Sequence, residues 1–173
     1  MLSTTTQAAF LGNEYKIQTK KLDKHFGVSK DYHRSVKFDY DTFFEIIQDF
    51  EFMFKWEGLT HNEMPTETSI SYHKYEHAYH QLMIELVFMQ IKSIKKIIGD
   101  DKIKRIYIDG GFGDNDLYVN LLSHYFRDKT LRTTEASLGS AIGAAIAISD
   151  KKLNSKFLKR NYSLKKHVPF IIK

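Results

Sequence analysis

The chain has no cysteine, only two prolines and one tryptophan in 173 residues. Without cysteine there is no disulfide framework, no thiolate chemistry and no Cys/His zinc set, and the composition fits a reducing compartment. No apolar run approaches the roughly 20 residues that span a bilayer, so no membrane association is expected. The first residues, Met1-Leu2-Ser3-Thr4-Thr5-Thr6, lack a basic stretch followed by an apolar one. That sets an expectation of no secretory leader and a cytoplasmic address. The phosphate-loop pattern G-x-x-x-x-G-K-[ST] and the nucleophile pattern G-x-S-x-G are also missing.

What is present is a folded chain, with 13 Phe and 10 Tyr to build a core. At this length one ordinary domain is expected. The net charge is +5, and Lys151, Lys152, Lys156, Lys159, Arg160, Lys165, Lys166 and Lys173 crowd residues 151–173. A solvated basic tail is the favoured reading over a nucleic-acid surface. Basic clusters are common on solvated faces, and Phe157 and Tyr162 do not make a stacking platform.

Periodicity and punctuation give the elements. Residues 13–26 read as a helix, with Asn13 as N-cap and Gly27 as stop. Residues 39–50 read as a second, capped by Asp39 or Asp41, with Phe43, Phe44, Ile46, Ile47 and Phe50 forming a broad apolar face. Gly58, Asn62 and Pro65 mark 51–71 as connection. Tyr75, Tyr79, Leu82, Leu86, Met89, Ser93 and Ile97 form one stripe at helical period over 72–98. Ile103 to Asp109 reads as a strand, 114–126 as a helix, Thr130 to Thr134 as a short strand and 137–149 as a small-residue helix. This order is α/β, helix-rich with few strands. So few strands imply either further ones near 2–11 and 50–56 or a chain that is part of a larger domain.

Three motifs carry candidate chemistry. The first is Ile106-Tyr107-Ile108-Asp109-Gly110-Gly111-Phe112-Gly113-Asp114-Asn115. An apolar strand runs into an acid and paired glycines, and a helix follows. Glycine has no Cβ to keep a ligand off the backbone, and a helix N-terminus offers free N–H groups to an anion such as a nucleotide phosphate. Two glycines also suit any strand-to-helix turn, and Asn115 suits an N-cap. The second is Ser140-Ala141-Ile142-Gly143-Ala144-Ala145, small residues that let a helix pack closely on a sheet or a ligand. The third, His73-Lys74-Tyr75-Glu76-His77, fits the H-x-x-E-H pattern, which sets two His ligands and a Glu base on one helix face around zinc. His61 and His80 lie nearby in sequence, but no third ligand can be assigned.

In this order, the glycine motif and the small-residue helix resemble the C-terminal part of the FGGY carbohydrate kinases, in the rhamnulokinase-like branch. Phe10-Leu11-Gly12-Asn13-Glu14-Tyr15 and the long 72–98 helix add to the resemblance, which covers most of residues 8–150. It implies part of an actin-like, ribonuclease-H-like ATPase domain over 1–150, incomplete at its start, followed by the basic tail 151–173. The complete enzyme would move the γ-phosphoryl group of ATP to a sugar hydroxyl with Mg²⁺. Gly110 and Gly111 would lie against the α-phosphate and ribose, and Asn115 would reach the adenine or ribose. Ser140 and Gly143 would belong to the helix backing the pocket.

The family's catalytic aspartate and sugar-reading domain have no counterpart here. The family's second phosphate loop is not recognisable; Ser3-Thr4-Thr5-Thr6 is the candidate remnant of it, and no glycine accompanies it. The resemblance therefore implies a chain inactive alone: a truncated product, a domain fragment, or one half of a split enzyme whose N-terminal half is a separate chain. A homodimer across exposed sheet edge is a further expectation. The rival readings are a non-catalytic binding module with a partner-binding or nucleic-acid-binding tail, and an H-x-x-E-H zinc peptidase.

Overall fold

The structure, a computed structural model, describes residues 3–57, 64–98, 103–133 and 165–170. It is a mixed α/β chain, helix-rich, with one three-stranded sheet among the described residues. Two compact units divide it, Met1–Asp100 and Asp101–Lys173. The boundary at 150/151 expected from charge lies outside the described residues, as does the small-residue helix expected over 137–149.

The first unit is built on two long helices, α1 (Ser3–Phe26) and α3 (Tyr75–Ile98), which pack together. Helix α1 starts ten residues earlier than the sequence implies, and neither a strand nor a loop forms over residues 3–11. Gly12-Asn13 does not break it. Leu11, Glu14, Gln18 and Leu22 recur at helical spacing and are all buried, so tertiary packing overrides the local preference of Gly12 and Asn13. Its end is where the sequence puts it. Gly27 has φ +65°, and the Val28 N–H donates to the Asp23 carbonyl at 3.1 Å, the left-handed closure that glycine favours.

The α3 stripe behaves as expected over most of its length. Tyr75, Tyr79, Leu82, Leu86 and Met89 are buried, whereas Ile97 is exposed near the C-terminus. Each such buried apolar side chain contributes about 1.5–3 kcal/mol. Helix α2 (Tyr40–Gln48) packs on α3, and its N-cap is Asp39, whose carboxylate accepts the Thr42 N–H at 2.8 Å.

Residues 51–57 form no strand. They run extended, with Phe52, Phe54 and Trp56 buried and Glu51, Lys55 and Glu57 exposed, the alternation of a strand without a strand beside it. Helical side chains stand in for the missing ladder. On α3, Glu85 accepts the Met53 N–H at 2.7 Å, the Phe54 N–H at 3.3 Å and the Trp56 indole N–H at 2.8 Å. Gln81 donates to the Glu51 carbonyl and to Glu85, both at 2.8 Å. On α1, Glu14 accepts the Glu57 N–H at 3.0 Å and Gln18 donates to the Lys55 carbonyl at 2.6 Å. Two i,i+4 acid/amide pairs, one from each long helix, thus meet backbone groups that burial would otherwise strand.

The second unit is a strand–helix–strand crossover. Strand β1 (Arg105–Ile108) pairs in parallel with β2 (Thr130–Thr133), and α4 (Asp116–Tyr125) connects them. Ile106 and Leu131 are register partners, as are Ile108 and Thr133, and Leu117, Leu121 and Leu122 of α4 are buried. Lys165–His167 of the basic segment forms β3, antiparallel to β2, so these residues are part of the sheet and not of a loose tail. Among the described residues the sheet order is β1-β2-β3, with β2 in the middle.

Candidate functional site

The corner after β1 is built as its sequence suggests. Gly110 has φ +78°, a conformation L side chains rarely adopt, so glycine is required there for the backbone alone. A single 3-10 turn, Gly111–Asp114, follows, and then α4. A Cβ added at Gly110 or Gly111 would meet no atom within 4 Å. Among the described residues, there is room at both positions for a Cβ.

Asn115 is the N-cap of α4, its side-chain oxygen accepting the Tyr118 N–H at 3.0 Å. The Phe112 ring stacks on Tyr118 at 4.6 Å, and burial pushes the Tyr118 phenol well above its usual range. The charges around the corner are acidic: Asp109, Asp114 and Asp116 are all exposed. A bare phosphate at this helix N-terminus would face three carboxylates, which oppose the partial positive charge of the helix. A nucleoside, or a nucleotide whose charge is offset by Mg²⁺, is the better match. Ser140 and Gly143 lie outside the described residues, so the structure brings together Gly110, Gly111 and Asn115 of the five sequence-nominated positions.

The H-x-x-E-H residues sit in the first unit and do not form the expected face. Helix α3 begins at Tyr75, which leaves His73 exposed ahead of it, so the i,i+4 helical pair with His77 does not exist. Glu76 accepts the Tyr32 hydroxyl at 2.5 Å, which holds the Glu76 carboxyl below its usual range and raises the Tyr32 phenol. His77 lies 3.7 Å from a Glu45 oxygen on α2.

His80 is committed at both ring nitrogens. Its Nε2 accepts the Asp39 N–H at 3.0 Å, so the ring proton is on Nδ1, which donates to the Glu76 carbonyl at 2.7 Å. Burial lowers the His80 pKa, in agreement with that neutral tautomer. Among the described residues, no three His, Asp or Glu side chains are placed to hold a metal ion.

Tyr32, Glu76, His77 and His80 line a surface cleft of about 420 Å³ with Lys37, Asp39 and Lys74. Its acids and imidazoles tie the Tyr32–Ser35 turn and α2 to α3. They do not present a nucleophile beside a base. Sequence reading found neither the Asp39–His80 link nor the role of Glu85. The available signal was a polar side chain at a helical position flanked by buried apolar ones.

No helix among the described residues is long and apolar enough to cross a membrane. No known protein family, curated protein or solved structure matches the chain.

Proposed function

We propose that the chain is the adenine-nucleotide-binding portion of an FGGY-type carbohydrate kinase, its second unit belonging to an actin-like ATPase domain. One observation carries the reading: the room for a Cβ at Gly110 and Gly111 among the described residues, at a corner set between a parallel strand and the helix of a crossover. Strand ends that feed helix N-termini are where α/β sheets take their ligands, because backbone N–H groups there have no partner within the helix. The ordered sequence motifs supply the choice of nucleotide. Asn115 contributes by fixing the start of α4, and its oxygen is used for that purpose.

In the complete enzyme the nucleotide would arrive with Mg²⁺, which neutralises developing charge during transfer of the γ-phosphoryl group to a sugar hydroxyl. Asp109 and Asp114 are the carboxylates beside the corner suited to a metal-bound nucleotide. The base for the sugar hydroxyl and the residues that read the sugar would come from the missing half, so the chain alone binds nucleotide without turning it over.

The test is isothermal titration of the chain with MgATP, beside its Gly111→Val variant. Open space at Gly111 means the variant keeps its circular dichroism spectrum, while the valine occupies the ligand's place and weakens binding by roughly tenfold or more. Equal affinity in the two proteins would remove the corner from the site.

A further inference from the structure

We propose that the Asp39–His80 bond is a proton-operated latch: in mild acid it opens, and the N-terminal end of α2 parts from α3 while the rest of the first unit stays folded. The inference lies wholly within the first unit and is independent of the nucleotide reading. It starts from the backbone N–H of Asp39, the N-cap of α2, which donates to His80 Nε2 on α3 at 3.0 Å. The other ring nitrogen, Nδ1, donates to the Glu76 carbonyl at 2.7 Å, so the ring form that satisfies both bonds is the neutral one.

A proton on Nε2 sets two donors against each other across that 3.0 Å. His80 is 2% exposed, so water does not relieve the clash until the elements separate. The Asp39 carboxylate is no substitute acceptor. It takes the Thr42 N–H at 2.8 Å, and turning it to Nε2 would uncap the helix. Either way the first turn of α2 loses a bond.

The charges facing the ring do not reverse this. Burial, the largest influence, disfavours the imidazolium, and His77 adds to that. The bond to the Glu76 carbonyl and the Asp39 and Glu76 carboxylates favour it, and burial prevails. Glu76 also holds the Tyr32 hydroxyl of the adjoining turn, and Lys37 and Lys74, which line the same cleft, carry the sign of an imidazolium. Farther along α2, Phe43 and Ile46 are buried, and Glu45 lies 3.7 Å from His77, which attracts it when protonated. Release is thereby confined to the first turn. With the latch open His80 titrates near its ordinary 6.5, and with it closed below that value. Opening therefore gains as pH falls through 6.5, by up to about tenfold per pH unit for one proton.

The test is amide hydrogen exchange by NMR on the full chain across pH 7.5 to 5.5, corrected for intrinsic exchange rates. The Asp39, Thr42 and Phe43 N–H groups report the first turn, through their bonds to His80, the Asp39 carboxylate and the Asp39 carbonyl. Their protection is expected to fall roughly three- to tenfold over that range, while Leu82 and Leu86, buried on α3, keep theirs. The ¹⁵N shift of His80 Nε2 in the same parent samples is expected to follow the change in exchange. His80→Gln puts an amide oxygen where Nε2 accepts and does not titrate, so protection in that variant becomes independent of pH; His77→Gln leaves the dependence in place. The proposal is overturned by a ring that titrates without any change in exchange, or by Leu82 and Leu86 losing protection in step with the first turn. A pH dependence that survives in His80→Gln, or one that vanishes in His77→Gln, overturns it equally.

Discussion

Glu85 is a carboxylate in the core of the first unit. Its side chain is fully buried, and four N–H donors converge on its two oxygens: those of Met53, Phe54, Trp56 and Gln81. Burial pushes the Glu85 carboxyl up to about 7, against the downward pull of those same donors. Replacing it by glutamine would turn an NH₂ group toward two of the donors. Glu85→Gln is therefore expected to destabilise the first unit by about 2–4 kcal/mol, the cost of orphaned buried donors, and urea denaturation reads it directly. A urea midpoint equal to the parent's would mean that the extended segment is held by its apolar side chains alone.

At the scale of elements, the helix ends were the most legible. Asp39 at α2 and Gly27 after α1 do in the structure what their residue types announce. Asn115 caps α4, which is one of the two expectations attached to it; contact with a nucleotide is the other. Its replacement separates the two. Asn115→Asp keeps an acceptor for the Tyr118 N–H and is expected to unfold at the parent's temperature, whereas Asn115→Ala loses about 1 kcal/mol. Differential scanning calorimetry distinguishes them, and an aspartate variant as unstable as alanine would show that the amide nitrogen matters more than the cap.

Other elements were illegible for physical reasons. The start of α1 carries the break signals Gly12 and Asn13, overridden by packing against α3. The 51–57 segment has the two-residue period of a strand, but beside its bonds to Thr68 and Ser69 most of its hydrogen-bond partners are helical side chains 29 to 43 residues distant in sequence. Local pattern cannot report partners of that kind. The buried polar pairs Glu14/Gln18 and Gln81/Glu85 were visible as i,i+4 spacings without any indication of what they would hold. In the second unit, β1, α4 and β2 were all readable from alternation and helical period, as was the glycine corner. Lys165–His167 was not, because a short strand rich in lysine has the composition of a solvated tail.

At the scale of the whole molecule, two buried titratable groups in the first unit set opposing dependences on pH. His80 is held neutral when folded, with its pKa below the ordinary 6.5. Its contribution is present above about pH 6.5 and is lost as pH falls further, because the unfolded chain takes up the proton first. Glu85 keeps its proton to about 7 in the folded chain, against an ordinary value of 4.5. Its contribution is full below about 4.5 and erodes as pH rises through 7. His80→Gln is expected to flatten the acid limb of the stability profile below about pH 6.5 and to leave the neutral limb alone, as urea midpoints across pH would record. An acid limb unchanged in that variant would place its origin elsewhere.

The pinning of 51–57 by side chains also orders the steps of assembly. Helices α1 and α3 are local structures that form quickly, whereas the extended segment finds its partners only on a helix pair already docked. Closing those long loops costs chain entropy before any bond is returned. Substitutions at its anchors are therefore expected to hasten unfolding while leaving the speed of folding nearly unchanged, which stopped-flow folding and unfolding rates in urea would record.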